Sequence, residues 1–256
     1  MDDIYSQIST AQKSGTPAVF CLVTDTQGST PRKAGSKMIV YPGKRISGTI
    51  GGGSVEAQAI EDALQALPAG LAFKKTYHLE EDLSMKCGGS MEIYFEPVGL
   101  LPKLNIFGAG HIGRALARYA RDFGFLITVF DERQGIFSDW PPSDVQCIEG
   151  DYLSSVEHAA FDHNTYAVIL THLHVNDEKI LGIVAKKNIA YTGMIGSRKK
   201  VAEISKRLLE SGILTQEEIN KTDMPVGIPM AAETPEEIAI SILAKLIDVK
   251  NTHKNS

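Results

Sequence analysis

The sequence predicts an α/β protein of two domains, because a glycine-rich strand–turn–helix pattern lies in the middle of the chain. A short apolar run leads into Gly108, Gly110 and Gly113, and apolar residues then recur at helical spacing. From there on, strand-like apolar runs alternate with helical segments. This alternation predicts a Rossmann-like domain with a doubly wound parallel sheet over residues 103–250. Residues 1–100 must then form a domain of their own.

The first hundred residues predict a mixed α+β domain, in which polar or glycine-rich loops separate the strands. The stretch 24–36 is predicted as a polar loop, and 97–102 as the linker between the domains. A helix is predicted after the triple glycine 51–53, because four apolar residues recur on one face of it. The predicted strands are 17–23, 37–41, 73–79 and 91–95, and the helix begins at Ser54 with Val55, Ala59, Ala63 and Leu67 on its apolar face.

The second domain is predicted to alternate strands with helices, which implies right-handed crossovers and a parallel sheet. A last helix has a strong start, with Thr234 as N-cap, Pro235 at the first helical position and Glu237 as the capping-box partner. The predicted strands are 104–107, 126–130, 145–148, 166–170 and 189–193, and the earlier helices are about 111–123, 176–187 and 197–211.

The composition is that of an ordinary globular protein, with 43% apolar and 22% charged residues. The formal net charge of -5 and the lack of a dense basic run argue against nucleic-acid binding. No apolar run reaches the roughly eighteen residues that a membrane span needs, and the acidic start of the chain lacks an apolar signal core. Three widely spaced cysteines form no disulfide or zinc pattern, which favours a cytoplasmic protein. A homodimer is the prior expectation, since two-fold oligomers are the commonest.

The glycine pattern has an acidic partner, Asp131, at the end of the next predicted strand. Gly108, Gly110 and Gly113 let backbone amides at a helix start approach a pyrophosphate. Asp131 lies where a carboxylate accepts the ribose hydroxyls of an adenosine. These residues predict binding of NAD or another adenine nucleotide, although the nearby Arg133 blunts any preference for NAD over NADP. The alternative is a domain that keeps the Rossmann-type fold and has lost the cofactor.

A second cluster of polar and glycine residues lies in the N-terminal domain. Gly28, Ser29, Arg32 and Lys37 bring flexible backbone, a hydroxyl and two cations into one loop, and the triple glycine 51–53 precedes a helix. Free amides at a helix start and nearby cations together suit a phosphate or another anion. The alternative is that the glycines make tight turns and the cationic side chains are solvated.

Cys87 lies in a glycine-rich turn beside Lys86, where a thiol can have a lowered pKa. Such a thiol can act as a soft metal ligand or a nucleophile. The alternative is a small packing residue, which is also the interpretation of Cys21 and Cys147.

Two histidines, His172 and His174, follow a predicted strand together with Asp177. On an extended chain these histidines point the same way, so a metal site is one hypothesis. No third firm ligand is evident, and a polar loop that lines the ligand crevice is the simpler interpretation. The segment 193–198 follows the next strand and is interpreted in the same way, with Arg198 meeting an anion or capping the sheet edge.

Taken together, the motifs resemble the XdhC/CoxI family across nearly the whole chain. One segment departs from the family pattern: in 225–232, Pro229 stands where the family has an acidic residue and Ala231 where it has a glycine. The matching motifs are Gln27–Arg32, Gly35–Met38, Gly48–Gly53, Glu56, Cys87–Gly89, Tyr191–Arg198 and Thr234–Ala239.

The resemblance implies an accessory protein for a molybdenum hydroxylase such as xanthine dehydrogenase. Family members bind the molybdenum cofactor (molybdopterin) as cargo, assist its sulfuration, and help to insert it into the apoenzyme. The partners implied are the apo hydroxylase and a sulfur-donating cysteine desulfurase. The resemblance places cofactor contacts at Gly28, Ser29, Arg32, Lys37, Gly51, Gly52, Gly53, Glu56 and Cys87, with Cys87 as a molybdenum contact.

Two rival functions stay open beside this expectation. The first is an NAD-dependent oxidoreductase that selects its nucleotide with Asp131. The sequence shows no clear hydride-transfer pair, such as Tyr-x-x-x-Lys, and this absence favours the accessory protein. The second is a nucleotide-sensing regulatory module.

Overall fold

The computed structural model describes residues 3–80, 88–140, 145–159 and 161–254. The chain divides into two compact units, residues 1–100 and 101–256. Within the described residues, no helix combines the length and the apolar character needed to cross a membrane.

The first unit is a five-stranded antiparallel sheet with two helices, in the strand order β3-β2-β1-β5-β4. Its elements are α1 (Ile4–Ser14), β1 (Ala18–Gln27), β2 (Lys37–Val40), β3 (Ile46–Gly48), α2 (Gly53–Ala66), β4 (Phe73–His78) and β5 (Ser90–Val98).

Side chains of the central strand β1 alternate between two separate cores, as the pleat of a strand requires. Val19 and Cys21 belong to the core that contains Val55 of α2, whereas Ala18 and Phe20 belong to the core that contains α1. Both faces of the sheet are therefore covered, one by each helix.

The second unit is a parallel five-stranded sheet in the order β10-β9-β6-β7-β8. This is the doubly wound Rossmann order, so the predicted fold class is confirmed. The strands are β6 (Lys103–Phe107), β7 (Leu126–Asp131), β8 (Gln146–Glu149), β9 (Thr165–Ile169) and β10 (Tyr191–Met194), and the helices are α3 (His111–Ala120), α4 (Tyr152–His158), α5 (His174–Val184), α6 (Arg198–Glu210), α7 (Gln216–Asn220) and α8 (Pro235–Lys254).

The parallel sheet has a topological switch point between β6 and β9, its first and fourth strands. Apolar side chains of α3 and α8 pack with one face of the sheet, and those of α4, α5 and α6 pack with the other. Ligands of open α/β sheets bind at the carboxyl ends of the strands beside such a point. The loops after β6, β7 and β9 are therefore the ones that line a crevice.

Several element bounds differ from the sequence prediction. The predicted loop 24–36 is partly strand, because β1 continues to Gln27, with Thr26 opposite Met91 of β5. The predicted linker 97–102 is also partly strand, since β5 ends at Val98. Helix α1 was missed; Ala11 is its one buried residue, so its apolar pattern is weak.

The two described cysteines have opposite environments. Cys21 is fully buried in β1, and burial raises the pKa of its thiol to about 12. Cys147 is exposed on β8, so its interpretation as a small packing residue was wrong. Cys87 lies outside the described residues.

We expect Cys21→Ser to lower the free energy of unfolding of the first unit by about 1–3 kcal/mol, because a buried hydroxyl replaces an apolar thiol. Urea unfolding followed by circular dichroism measures the change. Cys147→Ser is the matched control and should unfold like the wild type, since that side chain is exposed. Equal unfolding midpoints for the two variants would contradict the expectation.

Candidate functional site

The glycine turn after β6 is packed tightly against the loop that follows β9. Gly108 has a φ of +124°, and a Cβ there would lie 2.2 Å from the carbonyl oxygen of Leu170. A Cβ on Gly113 would lie 1.9 Å from the carbonyl oxygen of Gly108. Gly110, at the N-cap of α3, has nothing within 4 Å of the corresponding position. Two of the three glycines are therefore needed for packing, and the third leaves space at the helix start.

Asp131, at the end of β7, is buried and accepts four hydrogen bonds from the protein. Its Oδ2 accepts from the backbone N–H of Ala109 at 2.7 Å and from Arg133 Nη2 at 2.8 Å. Its Oδ1 accepts from the backbone N–H and the Nε of Arg133, at 3.0 and 2.9 Å. Burial alone would raise the pKa of this carboxyl, but the donors of Arg133 and Ala109 outweigh burial and lower it to about 2.

These four donors fill the acceptor capacity of one carboxylate, which is about four lone-pair sites. Asp131 is therefore bound by the protein at the place where the sequence analysis expected it to accept ribose hydroxyls. A ribose at Asp131 would have to displace Arg133.

A polar contact spans the carboxyl end of β6. Glu132, after β7, accepts a hydrogen bond from Asn176 Nδ2 at 2.8 Å. His172, after β9, brings its Nε2 within 3.8 Å of the same carboxylate. Because β6 lies between β7 and β9 in the sheet, these side chains meet across the switch-point crevice.

Asp177 is buried and holds the loop after β9 in place. Its carboxylate accepts from the backbone N–H and the hydroxyl of Thr171, at 3.0 and 2.6 Å, and from Lys200 Nζ at 2.8 Å. His174 begins α5, so the extended segment assumed for a metal site does not exist. No group of three His, Cys, Asp or Glu side chains that could hold a metal ion is found among the described residues.

In the first unit, the loop after β1 packs directly on the triple-glycine turn. Gly51 has a φ of +135°, and a Cβ there would lie 2.7 Å from Pro31 Cβ and 3.4 Å from Arg32 Cγ. At the other end of the loop, a Cβ on Gly28 would lie 3.2 Å from Gly89 Cα. The structure thus brings Arg32 against Gly51, whereas Gly28 and Ser29 lie beside Gly89.

Glu56, a residue of α2, binds two backbone amides at the triple-glycine turn. Its Oε2 accepts from the backbone N–H of Ile50 at 3.0 Å and of Gly52 at 3.2 Å, and also from the hydroxyl of Thr49. The amides of residues 51–53 were expected to hold an external anion. In the structure the amide of Gly52 donates to the Glu56 carboxylate, and the amide of Gly51 donates to the Thr49 hydroxyl.

Cationic side chains remain around this turn. Arg32 is exposed, and Lys37 is half-buried at the start of β2, where its Nζ donates to the carbonyl of Gly35 at 2.8 Å. Because Glu56 already binds the amides of Ile50 and Gly52, these side chains are the source of positive charge for a ligand at this end of the sheet.

A cleft of about 290 Å³ lies beside the same loop, at the end of the β4–β5 hairpin. It is lined by Gln27, Gly28, His78, Glu80 and Gly89, among others. His78 and Glu80 were missed in the sequence analysis, because neither belongs to a recognised motif. The available signal was their position at the end of β4 and just after it, beside the glycine-rich loop.

We expect Asp131→Asn to lower the unfolding free energy of the second unit by about 2 kcal/mol at neutral pH, since a pKa lowered from 3.8 to about 2 corresponds to that amount. The ionised carboxylate stabilises the folded state fully above pH 4, and this contribution is lost as the pH falls towards 2. Unfolding of the wild type should therefore depend more steeply on pH in this range than unfolding of the variant. Asp248→Asn, at a carboxylate that is 67% exposed, is the control. Parallel stability curves for the wild type and Asp131→Asn would contradict the expectation.

Family models match both units of the chain. The model of the XdhC Rossmann domain matches residues 104–246. The model of the XdhC and CoxI family matches residues 11–78.

Curated relatives match the chain over most or part of its length. The protein YqeB of Escherichia coli K12, described as uncharacterized, is 33% identical over 97% of this chain and 46% of its own length. A Bacillus subtilis 168 protein described as a probable subunit of xanthine dehydrogenase is 33% identical over 58% of this chain and 43% of its own. The chain thus spans about half the length of these two relatives. The molybdenum cofactor insertion chaperone PaoD of Escherichia coli K12 is 25% identical over 94% of this chain and 86% of its own length.

A solved structure supports the fold over the whole chain. The crystal structure of a protein described as a xanthine dehydrogenase, from Bacillus halodurans, aligns with a TM-score of 0.52 at 21% identity. The alignment covers 98% of this chain and 96% of the other. With one family model matching more than half of the chain and a relative that is 33% identical over 97% of it, this protein belongs to the XdhC and CoxI family.

Proposed function

We propose that this protein is an accessory factor in the maturation of a molybdenum hydroxylase such as xanthine dehydrogenase. In this role it binds the molybdenum cofactor as cargo and assists its sulfuration and its insertion into the apoenzyme. Two relatives support the proposal through their descriptions, one as a molybdenum cofactor insertion chaperone and one as a probable subunit of xanthine dehydrogenase. The observation that carries it is the packing of the loop 28–32 on Gly51, which places Arg32 beside the triple-glycine turn.

The terminal phosphate of molybdopterin is assigned to the cations of this turn. Arg32 is exposed and Lys37 lies at the start of β2, so both can reach a ligand at this end of the sheet. A guanidinium suits a phosphate because it can donate two parallel hydrogen bonds. Since Glu56 binds the amides of Ile50 and Gly52, the cationic side chains supply the charge for the phosphate.

The thiol of Cys87 is assigned to the molybdenum centre, because soft metals favour thiolate ligands. Gly88, the next residue in the chain, lines the cleft beside the loop after β1. The proposed partners are the apo hydroxylase and a cysteine desulfurase that supplies sulfur, and the proposed assembly is a homodimer.

We expect Arg32→Ala to weaken binding of the molybdenum cofactor on the order of tenfold, the cost of one charged hydrogen bond. Fluorescence quenching with purified cofactor measures the affinity. The fold should not change, because Arg32 is exposed.

Arg45→Ala removes the same charge from another exposed site in this unit and should bind like the wild type. The same variants, together with Cys87→Ser, are compared in a reconstitution assay for activation of apo xanthine dehydrogenase. Unchanged affinity in folded Arg32→Ala would move the phosphate contact away from this turn. Failure of the wild-type protein to bind the cofactor at all would sink the proposed function.

The second candidate function is binding of NAD or another adenine nucleotide in the switch-point crevice, as an oxidoreductase or a nucleotide sensor. The observation that favours it is the open space at Gly110, where α3 begins. A pyrophosphate can approach the amides of this helix start. A ribose could bind Asp131 only by displacing Arg133, which donates two side-chain hydrogen bonds to this carboxylate.

We expect Gly110→Asp to abolish nucleotide binding without loss of stability. The backbone at Gly110 has a φ of −68°, which any residue can adopt, and Asp is a favourable N-cap. Its charge would repel a phosphate. Calorimetry with NAD, NADP, ATP and AMP tests this, and Gly110→Asn, similar in shape but uncharged, separates the effect of charge from that of size. If the wild type binds none of the four at millimolar concentration, the crevice serves the architecture of the fold.

A further inference from the structure

The cleft beside the loop after β1 is built from two strand ends and several glycines. Leu79, just after β4, donates its backbone N–H to the carbonyl of Gly89 at 3.0 Å. This hydrogen bond joins the two strand ends at the connection between β4 and β5. The volume of about 290 Å³ lies near the lower limit of the range of small-molecule sites, about 300–1,000 Å³. The cleft therefore suits one small ring system and not a whole nucleotide.

The glycines leave the floor of the cleft as bare backbone. A Cβ on Gly89 would lie 2.4 Å from the carbonyl oxygen of Ser29 and 2.5 Å from that of Gln27. A Cβ on Gly88 would lie 3.1 Å from Glu80 Oε2, so the carboxylate of Glu80 rests against the glycine backbone. The backbone of Gly89 therefore packs on the loop after β1, and the Glu80 carboxylate lies beside Gly88 at the edge of the cleft.

The charge of the cleft is opposite to that of the triple-glycine turn. Glu80 carries a negative charge, and Gln27 and His78 are polar neighbours that line the same space. A carboxylate repels a phosphate but accepts hydrogen bonds from a heterocycle with adjacent N–H groups. The cleft thus favours a small heterocycle with a donor edge.

We propose that this cleft binds the pterin end of the molybdenum cofactor, with Glu80 accepting hydrogen bonds from the 2-amino group and the neighbouring ring N–H. The assignment rests on the proposed function, and it adds the residue that recognises the pterin. Residues 28 and 32 flank the two sites, and an extended chain of this length spans at most about 14 Å. On this assignment, one cofactor molecule places its ring against Glu80 and its phosphate against Arg32.

The test uses the full-length protein, the purified cofactor and two small probes. Pterin has the 2-amino donor, whereas lumazine has an oxygen acceptor at the same position. The wild type should bind pterin about tenfold more tightly than lumazine, a typical discrimination by a bidentate pair. Glu80→Gln should weaken cofactor and pterin binding and strengthen lumazine binding, because a glutamine amide donates to the new oxygen and still accepts from the ring N–H. The anisotropy of the probe fluorescence reports both affinities.

Glu61→Gln, at a carboxylate of α2 that is 45% exposed, is the matched control and should keep the wild-type preference. If Glu80→Gln binds the cofactor with wild-type affinity and keeps the wild-type order of the two probes, the assignment of Glu80 is wrong. If the wild type binds the cofactor and only Arg32→Ala weakens it, the accessory function stands without the pterin cleft. If the wild type binds neither the cofactor nor pterin, both proposals fail.

Discussion

One buried carboxylate, that of Asp131, holds the crevice edge of the Rossmann sheet together. It binds the backbone N–H of Ala109 in the turn after β6 and the side chain of Arg133 after β7. The turn is also confined from behind, because Gly108 and Gly113 leave no room for a side chain. The position of the α3 start, and of any ligand near it, therefore depends on this charge remaining ionised and paired.

The glycine-rich turns of the two units are stabilised in the same way. In each, a carboxylate of the chain itself binds backbone amides at the turn: Asp131 binds that of Ala109, and Glu56 binds those of Ile50 and Gly52. Buried amides must have partners, and an internal carboxylate provides them without a ligand. Ligand recognition then falls to groups outside these pairs, such as Arg32 in the first unit and the open helix start at Gly110 in the second.

The sequence was sufficient to predict the fold class, because apolar periodicity and the glycine pattern are local signals. The alternation of strands and helices in the second unit and the approximate positions of four strands in the first follow from these signals. The pairing of the strands in the first unit was not predicted. The partners of polar groups could not be predicted in the same way. Asp131 meets Ala109 across 22 positions, and Lys200 meets Asp177 across 23, so their pairing depends on the folded geometry. The glycine pattern correctly predicted that Asp131 lies at the end of a strand of the sheet. It could not show that Arg133 already donates hydrogen bonds to this carboxylate.

The position of Gly89 has a mechanical consequence for the first unit. Its backbone lies so close to the carbonyls of Gln27 and Ser29 that the hairpin end and the loop after β1 cannot shift independently. The cleft wall and the loop that carries Arg32 therefore pack directly against each other. A ligand that contacts both the cleft wall and Arg32 loses little additional conformational entropy of the chain on binding, because the two segments are already packed together in the folded protein.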